Sequence, residues 1–299
     1  MKQQIKSSLI LLLTATIWGV AFVAQSVGME YIGPFTFNAI RCVLGGMVLI
    51  PVILVLQKKK ETGAENQEKE DKKTLWMGGI ACGVILCIAS NLQQFGIMEA
   101  SVGKSGFFTA LYIVMIPVIG IFIGKRPGIK LWFCVALAVV GMYLLCMKDG
   151  SFTIERADIM LLLCALAFSF HILVVDYFSP RVDGVKMSCI QFFVCGVLSA
   201  VGMLFTETPD ISNIQAAWLP LLYAGLLSCG VGYTLQIVGQ KGINPVIASL
   251  IMSLESVISA LAGWVILGQV LSPKEILGCV LMFVAIIITQ IPIGNKKTD

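Results

Sequence analysis

Glu255 stands alone in the middle of "SLIMSLESVISALAGWVILG", the apolar run from Ser249 to Gly268. An ionised acid stranded in hydrocarbon costs about 3 kcal/mol on insertion scales and more in simulations. A carboxyl at this position must therefore face something other than lipid. Helical spacings of three and four place it with Ala248, Met252, Ser259, Ala262 and Gly263 on one face, and small residues there allow a second helix to come close. Two chemistries fit. The acid either forms a hydrogen bond that locks two helices together, or it faces a cavity, where it contacts a substrate or carries a proton.

His171 is the only histidine, so neither a histidine-rich metal site nor the two-histidine pattern of a membrane metalloprotease can be built. It either bonds a neighbouring helix as a neutral ring or exchanges a proton near neutral pH. Arg41 lies in the outer third of its apolar run, where it either snorkels outward or draws anionic groups toward the outer mouth. Asn91, Gln93, Gln94 and Gln236 supply amide donors and acceptors for interhelical bonds or for a ligand. Trp18, Phe22, Phe108, Tyr112 and Tyr233 lie at similar depths in three runs. Clustered around a cavity, they would suit an aromatic or amphipathic small molecule; otherwise they pack.

Other chemistries find little support. An intramembrane enzyme needs a nucleophile with a base, or paired acids, and "AFSFH" near "SLES" is too thin a basis. No catalytic residue, metal site or cofactor is expected. The ten cysteines all fall in apolar runs and form no Cys-x-x-Cys pair, which suits fillers of helix contacts. Gly103-Lys104-Ser105 lacks the upstream glycine of a phosphate-binding loop and is a chance match. A channel would show repeated polar rings, and none is visible.

The elements that hold these residues follow from composition. The chain of 299 residues is 58% hydrophobic and 13% charged, against about 25% charged in soluble domains. Ten apolar runs, near 7–28, 35–56, 74–95, 102–124, 130–147, 158–178, 187–206, 217–238, 245–267 and 274–293, are long enough to span a bilayer as helices and too long for spanning strands. The expected fold is an all-α polytopic membrane protein of ten transmembrane helices. The first run reads as an uncleaved helix rather than a signal peptide. Pro117 and Pro220 are expected to kink their spans and to serve as gating points.

With a cytoplasmic N-terminus, sixteen basic residues fall in inner segments and four in outer ones, leaving Arg41 inside a span. That bias puts both termini of the multi-pass protein in the cytoplasm. The net charge of +4 reflects this orientation and calls for no nucleic acid. Residues 57–73 read as a charged cytoplasmic linker loop.

A repeat organises the runs. At an offset of 150, Leu11–Phe22 lies over Leu161–Ile172, and Arg41 lies over Gln191. At 143, Gln93 meets Gln236, Gly96 meets Gly239, and Tyr112 meets Glu255, so the phenol can donate to the carboxylate across a pseudo-twofold axis. Two halves, 7–147 and 158–293, each hold five runs. Five is odd, so the second half enters the membrane from the opposite face. Inverted repeats are common in secondary transporters, with the binding site between the halves.

"IWGVAFVAQSVGMEYIGPFTFNAIR", "GKSGFFTALYIVMIPVIGIFIGKRP" and "SLESVISALAGWVILGQVLSPKEILGCVLMFVAIII" resemble the EamA family of the drug/metabolite transporter superfamily over nearly the whole chain. The resemblance implies two tandem five-helix repeats and a secondary transporter or exporter of small metabolites, such as amino acids or drug-like compounds. It also implies the plasma (inner) membrane as the location; the expected partners are a small-molecule substrate and the lipid bilayer, with export either coupled to protons or simply downhill. The cavity candidates are Glu255, Tyr112, His171, Trp18, Phe22, Arg41, Gln94, Phe108, Gln236 and Tyr233; an intramembrane enzyme or a channel-like permease is the alternative. Two departures stand out: Ser256 replaces a frequent proline, which is expected to leave the ninth helix straighter, and Gln269 replaces a frequent acid.

Overall fold

In a bilayer every backbone N–H and C=O must be satisfied within the protein, which leaves helices for long apolar segments. The computed structural model describes residues 2–62, 71–100, 102–124, 127–146, 155–268 and 272–290, and among them there is no strand. The first half contains α1 (Lys2–Gly28), α2 (Pro34–Thr62), α3 (Lys72–Glu99), a fourth crossing split into α4 (Val102–Ala110) and α5 (Tyr112–Phe122), and α6 (Ile129–Cys146). The second half contains α7 (Arg156–Phe178), α8 (Gly184–Thr206) and the short α9 (Ile211–Ala216). Its eighth crossing is α10 (Trp218–Leu222), a π-helical stretch (Tyr223–Tyr233) and α11 (Thr234–Gln240). The ninth is α12 (Pro245–Met252) with α13 (Glu255–Leu267), and the tenth is α14 (Pro273–Gln290).

Eight of these passages are long and apolar enough to cross a membrane, and Ile129–Leu144 is a shorter apolar helix. α14, of 18 residues, packs along α6. The protein is an all-α polytopic membrane protein. Its exterior carries large apolar side chains such as Phe122, Leu204 and Val265, while Arg41, Gln94, His171, Gln191 and Glu255 are buried. That inside-out polarity is what a hydrocarbon solvent selects. The expected linker 57–73 is helical at both ends, as the last turn of α2 and the start of α3, and 63–70 lie outside the described residues.

Short polar residues set the helix ends. Asp71, Asp183 and Asn244 each accept a backbone N–H two residues on, capping α3, α8 and α12. The Thr74 hydroxyl and the Lys73 N–H hold the Asp71 carboxyl below its usual range. The start of α2 is capped from a distance. Glu207 Oε1 accepts Phe35 N–H at 2.8 Å, while Oε2 accepts Thr36 N–H at 2.8 Å and its hydroxyl at 2.6 Å. Offset by 150, Gly33 occupies the position that Asp183 holds in the second half, so the first repeat borrows its carboxylate from the second.

The packing obeys the repeat. Exchanging each crossing with the one five later turns the α3–α7 contact into the contact of the eighth crossing with α1. It likewise turns α3–α8 into the packing of the π stretch on α2. The α2–α8 and α6–α14 pairs map onto themselves. Glycines let α3 touch α8 and α2 touch the π stretch: a Cβ added at Gly83 would lie 2.7 Å from Val194 Cβ, and one at Gly45 2.6 Å from Cys229 Cβ.

The fourth and ninth crossings break at equivalent places. Leu111 and Leu254, 143 apart, both leave the α-helical register at ψ near zero (−8° and −14°). The ninth helix is therefore interrupted although Ser256 stands where a proline was anticipated. Ser249, Ser253, Ser256 and Ser259 each donate a hydroxyl to the carbonyl three residues back, which supports tight 3₁₀-like turns in place of a proline. The expected proline kinks also move. α5 runs through Pro117 and the break falls six residues earlier, while Pro220 sits in the first turn of α10, where it removes no intrahelical bond.

Candidate functional site

The two breaks meet. Tyr112 opens α5 and Glu255 opens α13, and the phenol donates to Glu255 Oε1 at 3.0 Å. Both side chains are buried. A carboxyl at the first residue of a helix also meets the positive end of the peptide dipoles.

Beside this pair lies a cavity enclosing about 420 Å³ of non-atom space, counting the solvent at its mouth. α1 lines it with Trp18, Ala21, Phe22 and Gln25, one face of that helix at spacings of three and four. Arg41 enters from α2, Gln93 from α3, Thr109 from α4, and Phe168 and Ile172 from α7. The eighth crossing adds Ser228, Tyr233 and Gln236.

Aromatic rings form one wall. Trp18 and Tyr233 have centroids 4.6 Å apart at 54°, and Phe192 and His171 meet Tyr233 edge-on at 5.8 and 6.0 Å. The π stretch makes room for Trp18. Its indole N–H donates to Ser228 O at 3.4 Å, and a Cβ on Gly232 would lie only 2.7 Å from that nitrogen. Wide π turns leave carbonyls for such partners and often occur at functional sites.

Arg41 does not snorkel. It is 2% exposed, its Nη1 donates to Gln25 Oε1 at 2.8 Å, and its guanidinium stands 5.6 Å from the centre of the Phe37 ring. The reason is Gln25, which offers a buried acceptor closer than any interface. In the second half His171 Nε2 and Gln191 Oε1 lie 3.1 Å apart. Gln191 is the repeat mate of Arg41, and His171 sits one helical turn from the position equivalent to Gln25. The two polar pairs are counterparts, the Arg41 pair facing the cavity and the His171 pair fully buried.

Of the ten cavity candidates, Glu255, Tyr112, Trp18, Phe22, Arg41, Gln236 and Tyr233 line the space together. His171 stands behind Tyr233, Gln94 Nε2 points to Met29 Sδ at 3.4 Å, and Phe108 stacks edge-on against Phe107. Gln25, Thr109, Phe168 and Ser228 were not anticipated. Gln25 had a signal, since it continues the Trp18–Phe22 face of α1. Nine cysteines are free thiols; Cys42 Sγ and Cys195 Sγ lie 3.4 Å apart. The side chain of Cys146 lies outside the described residues. No group of three metal-ligating side chains occurs among the described residues.

A helical membrane protein built of two interlocked halves around a polar, aromatic-walled cavity is the class that these features define. The family model of EamA-like transporters matches residues 5–147 and again 155–291, and the chain belongs to that family of membrane transporters. It is 27% identical to an uncharacterized transporter of Archaeoglobus fulgidus over 94% of this chain and 84% of that protein. It is 23% identical to the uncharacterized transporter YwfM of Bacillus subtilis over 97% and 96% of the two chains. A solved crystal structure shares the fold with a TM-score of 0.76 at 18% identity, covering 95% of this chain and 96% of that one.

Proposed function

We propose that the protein is a secondary transporter that exports small metabolites, such as amino acids or drug-like compounds, by alternating access. The observation that carries this reading is the Tyr112–Glu255 hydrogen bond. It joins the two halves at their paired helix breaks, beside the cavity, so a rocking of one half against the other must pass through it. Broken helices next to a site between inverted repeats are the hallmark of such carriers. The substrate binds among Trp18, Phe22, Tyr112, Tyr233, Gln236, Arg41 and Glu255, with Glu255 as the group through which protons couple to transport. The protein works in the plasma (inner) membrane, and the basic bias supports an orientation with both termini in the cytoplasm.

Flux of a metabolite panel in proteoliposomes tests this. Saturable flux with counterflow, and no chemical change in the compound, is expected. Turnover of the compound would favour an intramembrane enzyme, and non-saturable flux without counterflow a channel-like permease.

A further inference from the structure

Arg41 carries the charge that the cavity leaves unanswered. Its guanidinium stays protonated at any physiological pH. Its one side-chain bond goes to Gln25, a neutral amide, and its Nε is buried with no partner. Among the described residues no carboxylate lies within the 4.0 Å of an ion pair. Glu255, the carboxylic acid among the lining residues, is engaged with Tyr112. A cation buried without a counterion is costly, and evolution normally answers it with a paired acid.

We propose that the missing counterion is the ligand: the cavity takes a small carboxylate with an aromatic or amphipathic body, its carboxylate on the Nε–H side of Arg41. The planar guanidinium fork and a carboxylate match in geometry, and such bonds are the strong ones. The body rests against the Trp18–Tyr233 pair, whose rings already make a tilted wall. Gln236 Oε1, a second buried atom with no partner, accepts from an ammonium or hydroxyl group where the ligand has one. This assignment rests on the transport reading of the same cavity and narrows it to a substrate class.

The test uses the purified full-length protein in detergent with 3-phenylpropionate, phenylalanine, phenethylamine and 3-phenylpropanol, each read as a ligand-induced shift in Tm. At least one of the two acids is expected to raise Tm, and the amine and the alcohol are not. Arg41→Gln is expected to weaken the acid by about tenfold or more, as befits a lost charge-assisted bond. Arg41→Lys keeps the charge without the fork and is expected to fall between. Folding of Arg41→Gln is checked by its own unliganded Tm, which relief of an unpaired buried charge should leave equal to or above the wild-type value. A shift by the alcohol equal to that of the acids, an acid shift that survives Arg41→Gln, or no shift by either acid overturns the proposal. Flux separates the two readings. Saturable flux confined to neutral or cationic compounds sinks the carboxylate class and leaves the transporter standing. An acid that binds through Arg41 but never crosses a liposome membrane does the reverse.

Discussion

Tyr112 and Glu255 are 143 residues apart, the repeat offset of their crossings, and the phenol of one donates to the carboxylate of the other at 3.0 Å. Each is the first residue after a helix break. A single hydrogen bond therefore sits where the pseudo-twofold axis passes, and it touches the cavity on one side.

Glu255→Gln keeps the shape and the hydrogen bond but deletes the exchangeable proton. It is expected to accumulate as folded protein at the wild-type level while losing flux, or losing its dependence on pH. Glu255→Ala leaves Tyr112 without a buried partner, at a cost of about 1–3 kcal/mol, and should lower the folded yield. Tyr112→Phe removes only the hydroxyl. If Glu255→Gln and Tyr112→Phe both leave uptake, efflux and pH dependence untouched, the acid is a structural lock.

Glu207 caps α2 from the other repeat. Glu207→Ala strands the N–H groups of Phe35 and Thr36 and should cost about 1 kcal/mol, the usual value of a lost cap. A drop in detergent Tm with binding affinity little changed is the expected pattern. An unchanged Tm would show that water replaces the carboxylate.

Gly19 lets α1 lie on α13. A Cβ there would come within 2.4 Å of Ile258 Cβ and 2.8 Å of Glu255 O, so Gly19→Ala must push the two helices apart and displace Glu255. Overpacking of this kind costs about 1–3 kcal/mol. Flux is expected to fall. Gly103→Ala, whose added methyl meets nothing within 4 Å, serves as the matched control. Equal flux in the two variants would mean that the α1–α13 seam tolerates separation.

Topology is tested with two added cysteines. One at Asn66 should react only with reagents that reach the cytoplasm, and one at Asp210 with impermeant reagents outside. The reverse pattern would invert the orientation and leave the fold as it is.

What the sequence discloses divides along physical lines. The crossings were legible because hydrocarbon imposes length and apolarity on each, whatever its neighbours. The Tyr112–Glu255 pair was legible because an inverted repeat brings equivalent positions to its axis. Arg41 kept two readings, snorkelling or facing the cavity, because its partner, Gln25, belongs to another helix and no local pattern announces that contact. The ninth-helix break escaped notice because four serines, each with its own short-range bond, replace one proline. The π stretch has no proline or charge to betray it, only the room that Trp18 and Gly232 require.

The long reach of Glu207 has a consequence for how the molecule is made. The N–H groups of residues 35 and 36 wait for an acceptor 172 and 171 residues downstream. A ribosome has delivered seven of the ten crossings before that acceptor emerges. Until then the second crossing sits in the membrane with an unfinished end, solvated only by headgroups or water. The first half is thus inserted long before it is complete, and arrival of the second half is what finishes it. The cap on α2 is closed by a residue of the second half, with three crossings still to follow it.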